Sequence, residues 1–157
     1  MRQTRLLDTR SLDRMKSVVK NRLYLQTLQY YDIDSVWPYI QDKYDSISRT
    51  TRGRYSKPDI LQLIKERQQQ IWLAREMQDD NIVMVCTTEI MDYPQRKTLL
   101  IHYCTGDNYK SWLWVLDEIE AWARTQDFKM IEIYGRKGWQ RILKDYKLEK
   151  IILSKDL

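Results

Sequence analysis

Residues 97–157 constrain this chain more than any other stretch. Residues 98–104 are apolar and rich in strand formers, Thr105, Gly106, Asp107 and Asn108 make a turn, and residues 109–125 carry helical spacing. Residues 129–134 are extended again, residues 135–143 turn into a short helix, and residues 151–153 read as a last strand. Strand, helix and strand in that order make a β-α-β unit, whose two strands run parallel because the crossover helix brings the chain back to its starting end.

What precedes that unit is a different kind of structure. Residues 23–30 begin with alternation and read as a first strand. A helix follows through Val36, Trp37, Ile40 and Tyr44, with Asp32 or Asp34 as its cap and Pro38 expected in its first turn. Residues 48–56 are polar, with Arg49, Arg52 and Arg54 around Gly53: a solvated loop or an anion-contacting one. Pro58 opens a second helix whose face is Ile60, Leu61 and Ile64. Strands at 70–75, 82–90 and 98–104, joined by short turns, form an antiparallel meander. The expected architecture is α+β: one mixed sheet with helices on its faces, spanning residues 22–157. Residues 1–21 form an arm in which Leu12, Met15, Val18 and Val19 have helical spacing, either a surface helix or a docking segment.

A length of 157 residues suits one domain with its own core. The net charge of +5 is dispersed, so it favours anionic partners in general and supports nucleic-acid binding only weakly. A single histidine and two separated cysteines argue against a structural zinc site. Cys86 and Cys104 both fall in expected strands, as buried free thiols or as a disulfide. No apolar run reaches membrane-spanning length, and the first residues lack the apolar centre of a signal peptide, so a cytosolic or virion protein is expected. The 6 Trp and 11 Tyr against 1 Phe suit protein interfaces as well as a core.

One strand, two helices, a three-stranded meander, then helix, strand, helix and strand resembles the GNAT acyltransferase fold. More narrowly, the chain resembles small GNAT-like proteins of tailed phages. The residues that carry this are the Gly-Arg-x-Gly-Trp-x-Arg-x-Leu run at 135–143, Glu120-Ala121-Trp122-Ala123 before it, and the Leu-x-Lys-x-Leu run at 153–157.

The resemblance implies a loop after the meander's last strand that binds the acyl-CoA pyrophosphate through backbone N–H groups, which needs small residues and a helix N-terminus. The matching Thr105, Gly106, Asp107 and Asn108 are the candidate cofactor contacts. They offer one glycine and one full negative charge, and bulky Tyr109 follows, so the loop reads as degenerate, with Asp107 or Asn108 capping the helix instead. The family's acid tyrosine aligns with Leu143; Tyr146, three residues on, either substitutes for it or packs under the final strand. Glu89 and His102 are the available bases, and no residue is assigned as catalytic. Arg136, Lys137 and Arg141 surround Trp139 as a basic helix face or a partner contact. Trp112, Leu116, Ile119 and Ala123 form a core stripe, which leaves Trp114 or Trp122 for the opposite face or another chain, with Trp114 the further partner-contact candidate.

The resemblance and the altered loop together imply a phage GNAT-fold protein without a cofactor, acting as a virion structural or assembly component in the virion or host cytoplasm. Its partners would be other virion proteins or a second copy. The alternative is an active N-acyltransferase that uses acetyl-CoA on a host or phage protein. A third possibility is a nucleic-acid contact through the basic arm and the Arg136 region.

Overall fold

The computed structural model describes residues 19–157. Asn21 and Arg22, both with positive φ (56° and 61°), turn the chain between β1 (Val19–Lys20) and β2 (Leu23–Leu28), the backbone shape that a two-residue hairpin requires. Of the expected helix near the N-terminus, only Val19 lies within the described residues, and it belongs to β1.

A 3-10 turn, Tyr30–Asp32, leads into α1 (Ile33–Ile40). Asp32, one of the two expected caps, occupies the N-cap position, and the helix buries Ile33 and Ile40. Pro38 sits inside the helix rather than in its first turn, and Asp32 makes no side-chain cap bond. Proline removes a backbone donor there, and the chain tightens into a 3-10 turn at Gln41–Tyr44. After α2 (Ile47–Thr50) comes α3 (Lys57–Lys65), where Pro58 stands in the first turn as expected. The Asp59 carboxylate accepts hydrogen bonds from the amide and hydroxyl of Ser56 at 2.7 and 2.8 Å, which tie down the helix start and hold that carboxyl below its ordinary pKa.

β3 (Gln69–Glu76), β4 (Ile82–Asp92) and β5 (Lys97–Gly106) form the meander. The chain then passes through α4 (Tyr109–Trp112) and α5 (Trp114–Thr125) to β6 (Met130–Ile133), and α6 (Gly138–Ile142) follows. The sheet order is β1-β2-β3-β4-β5-β6, antiparallel throughout except for the parallel β5–β6 pair.

Strand alternation splits the core in two. Trp72, Ala74, Met84, Cys86, Leu99 and Ile101 face α5, whose Leu116, Ile119 and Trp122 cover them. Ile71, Leu73, Val85 and Tyr103 face the other way, against Ile40, Tyr44, Ile60 and Ile64. On that face the Tyr44 hydroxyl lies 2.6 Å from that of Thr87, and burial pushes its phenol pKa well up.

Two further expectations fail. The helix expected over 109–125 is two segments joined at Leu113, whose backbone stays helical (φ −57°, ψ −29°) while the Leu116 amide bonds its carbonyl at 3.1 Å, and Trp112 and Trp114 both lie in the same core. The last strand expected at 151–153 is not formed: β6 ends the sheet, and Ile151, Ile152 and Leu153 are exposed and outside any strand.

Candidate functional site

β5 outruns β6. Their parallel pairing runs from Thr98 and Met130 to Ile101 and Ile133, and the Tyr134 amide bonds the Ile101 carbonyl at 3.2 Å. β5 continues to Gly106, while β6 ends at Ile133. The parting coincides with a bulge. Thr87 pairs with Tyr103 and Thr88 with Ile101, which leaves His102 as the extra residue of β5. A bulge bends its strand and re-aims the side chains on it. A cleft of about 1260 Å³ opens there, with His102, Tyr103 and Cys104 on its wall and Glu89, Tyr55 and Trp139 also lining it.

The polar groups of this cleft differ in how they are held. Glu89 and His102 are buried, and the Tyr55 ring stands edge-on to His102 at 4.5 Å. The Tyr103 hydroxyl donates to the Lys43 carbonyl at 2.9 Å and lies 2.8 Å from the Ser46 hydroxyl, so it braces the segment between α1 and α2.

The loop after β5 is built from packing. Thr105 and Gly106 belong to β5 itself. A Cβ on Gly106 would lie 2.3 Å from the Val83 carbonyl oxygen, so this glycine serves the close approach of two strands. The Asp107 amide donates to that same carbonyl at 3.1 Å. Asn108 adopts the left-handed conformation at φ 51°. Of the expected caps Asp107 or Asn108, Asn108 occupies the N-cap position of α4, but it makes no side-chain cap bond. The hydrogen bonds here satisfy carbonyls rather than the helix N–H groups. The Trp112 N–H donates to the Asp107 carbonyl at 3.0 Å, the Trp114 N–H donates to the Ser111 carbonyl at 2.9 Å, and the Ser111 hydroxyl donates to the Asn108 carbonyl at 2.8 Å.

A second cavity, of about 370 Å³, lies between α5 and α6. Lys20, Lys110 and Lys144 line it together with Asp117 and Glu120. Tyr146 borders both cavities; its hydroxyl donates to the Glu120 carboxylate at 2.6 Å, and desolvation followed by that bond raises its phenol pKa strongly. This is its observed contact, in place of packing under a final strand. Leu143 packs on the tryptophan core.

The partner-contact candidates separate. Arg136, Lys137 and Arg141 are exposed around α6. Trp139 is half-buried, with its ring against Gly135 and 6.4 Å from the ring of Trp112. Trp114 is 6% exposed and belongs to the core, which corrects its expected outward position; its large indole packs inward and its N–H is satisfied by the Ser111 carbonyl. Among the described residues no metal-ligating cluster is present. The joint at Leu113 and the bulge at His102 were missed by sequence reasoning, since neither has a glycine or proline to mark it.

No protein-family model matches the chain, and no curated protein matches it. Solved structures do. An aminoglycoside acetyltransferase from an uncultured soil metagenomic sample, in complex with sisomicin, superposes with a TM-score of 0.61 at 12% identity, covering 87% of this chain and 97% of that one. The fold is the GNAT acetyltransferase fold. The ribosomal-protein-alanine N-acetyltransferase of Brucella melitensis biovar Abortus matches with a TM-score of 0.60 at 11% identity, over 86% of this chain and 97% of that one. A probable acetyltransferase matches with a TM-score of 0.59 at 11% identity, over 86% and 99%. The phage origin implied by the 135–143 run has no counterpart among these relatives. At such identities the likeness speaks for the shared GNAT fold, and the parting of β5 from β6 is this chain's own geometry.

Proposed function

We propose that this chain is an acyl-CoA-dependent N-acyltransferase that works in the cleft between β5 and β6. The observation that carries this reading is the parting of the two strands at Ile101 and Ile133, with buried Glu89 and His102 lining the space that opens. Acetyl-CoA, the co-substrate suggested by the solved acetyltransferases, would supply the acyl group as a thioester. The chain fits it in part. Lys20, Lys110 and Lys144 line the smaller cavity but are matched there by Asp117, Glu120 and Asp145, Gly106 is engaged by strand packing, and Asp107 is acidic. His102 is the residue that takes the proton from the acceptor amine, with Glu89 at the same cleft wall; Tyr146, held protonated at neutral pH, is the proton donor for the leaving thiolate. Calorimetric titration with acetyl-CoA tests the reading: micromolar binding is expected, and absence of heat at millimolar ligand overturns it. In an active preparation, His102→Gln should lower turnover about a hundredfold or more while binding is retained.

A second reading has its own support. Leu148, Ile151, Ile152 and Leu153 are exposed beside a sheet that ends at β6, and the loop at 105–108 is built for packing. In this reading the protein is a virion structural or assembly component of the virion or host cytoplasm, and its tail and Arg136, Lys137 and Arg141 contact other virion proteins, a second copy or nucleic acid. Mass spectrometry of purified particles tests the virion role: the protein at a fixed stoichiometry supports it, and its complete absence removes it.

A further inference from the structure

The two cysteines of the chain face each other. Cys86 of β4 and Cys104 of β5 are direct cross-strand partners, both free. Directly opposed residues of an antiparallel pair have Cα atoms about 4.5 or about 5.5 Å apart depending on the pair type, and both values fall within the window that a disulfide spans. The two differ in access. Cys86 is fully buried in the tryptophan core, whereas Cys104 is half-buried and lines the large cleft. We propose that Cys86 and Cys104 form a redox modification site on the cleft wall, in which Cys104 reacts with a small disulfide such as oxidised glutathione and Cys86 resolves the adduct into a cross-strand disulfide.

The step balances. The Cys104 thiolate attacks one sulfur of glutathione disulfide, forming a mixed disulfide and releasing one glutathione thiolate, which takes up the proton that Cys104 lost. Cys86 then loses its proton and attacks the Cys104 sulfur, expelling the second glutathione. Two protein thiols are oxidised and one glutathione disulfide is reduced to two thiols. The cleft admits the reagent to Cys104 only, so the order is set by access. A hydrogen bond with the Cys104 thiol, and then burial, push the Cys86 thiol well above its ordinary pKa, which makes the second step the slow one. The bond would pin β4 to β5 three residues beyond Ile101, the last residue of β5 in register with β6. This site does not depend on acyl transfer.

The full chain is equilibrated in glutathione buffers of graded ratio, quenched with an alkylating agent and weighed intact; with only two cysteines present, each product has one mass. The expected product is a species two hydrogens lighter that carries no alkyl group. It should form at a glutathione ratio about tenfold or more reducing than that needed by the same chain in denaturant, because the sheet supplies a high effective concentration of one thiol at the other. Cys86→Ala should stop at the glutathione adduct on Cys104. The proposal is overturned if the wild-type chain stops at that adduct, keeps two alkylatable thiols at every ratio, or closes no more readily folded than unfolded.

Discussion

β5 has two neighbours and treats them differently. Towards β4 it pairs along its whole length, from Asp92–Lys97 to Met84–Gly106, with the single irregularity at His102. Towards β6 it pairs only from Thr98 to Ile101 and then stands alone. The first boundary is closed by backbone against backbone; the second opens into a cleft lined by side chains. One strand thus serves as core on one edge and as the wall of a site on the other. The bulge at His102 accommodates both, because one extra residue lets β5 follow β4 while bending away from β6.

Substitutions can break this contrast, beginning on the closed side. Trp72 is fully buried, donates its indole N–H to the Thr88 hydroxyl at 2.9 Å and meets the Trp122 ring edge-on at 5.2 Å. Trp72→Ala should lose about 3–5 kcal/mol, read as a lowered urea midpoint. Gly106→Ala comes next. Its new Cβ would meet backbone atoms of Val83 and Met84, which cannot step aside, so about 1–3 kcal/mol should be lost in the same measurement.

On the open side the equivalent change should cost less. A Cβ on Gly135 would lie 2.4 Å from a ring carbon of Trp139, a side chain that borders a cleft and can turn. Gly135→Ala should cost under about 1 kcal/mol and shift the tryptophan fluorescence. Equal losses at Gly106 and Gly135 would remove the distinction between the two boundaries.

The smallest expected effect is electrostatic. Desolvation, then the nearby Glu132 carboxylate on β6, raise the Tyr93 phenol to about 12. The folded chain holds this proton more tightly than the unfolded chain does. The stabilising contribution is complete below the unfolded value near 10 and is lost as pH rises towards 12. Phenolate absorbance, compared between wild type and Tyr93→Phe, should show one tyrosine that ionises late. A Tyr93 that titrates with the bulk of the tyrosines would mean that this corner is open to water.

Much of the fold was legible because its signals are local. The three meander strands, the turn at 79–81 and the helix opened by Pro58 announce themselves by alternation, by Asp and Asn, and by a proline with a serine before it. The site was legible only in part. Glu89, His102 and Tyr146 could be named as titratable residues at suitable places, and the loop at 105–108 could be recognised as short of glycine. Their grouping around one cleft depends on a bulge that has no sequence marker. The outward position expected of Trp114 treated the apolar stripe as the whole buried face, whereas its indole reaches the core with its N–H on the Ser111 carbonyl. The last strand failed for a related reason: Ile151, Ile152 and Leu153 suit a strand, but among the described residues they pair with no ladder.

The sequence by itself determined the order of elements, the antiparallel meander followed by a parallel return, and so the mixed sheet on which everything rests. Periodicity and turn residues act over a few positions, and those the chain states directly. Tertiary structure alone decided what the turn after β5 is for. In sequence, one glycine beside an aspartate could belong to a weak phosphate loop or to a helix cap. In the folded chain Gly106 is held within reach of the Val83 carbonyl and the Trp112 indole takes the Asp107 carbonyl, contacts between residues far apart or on successive turns that no local pattern encodes.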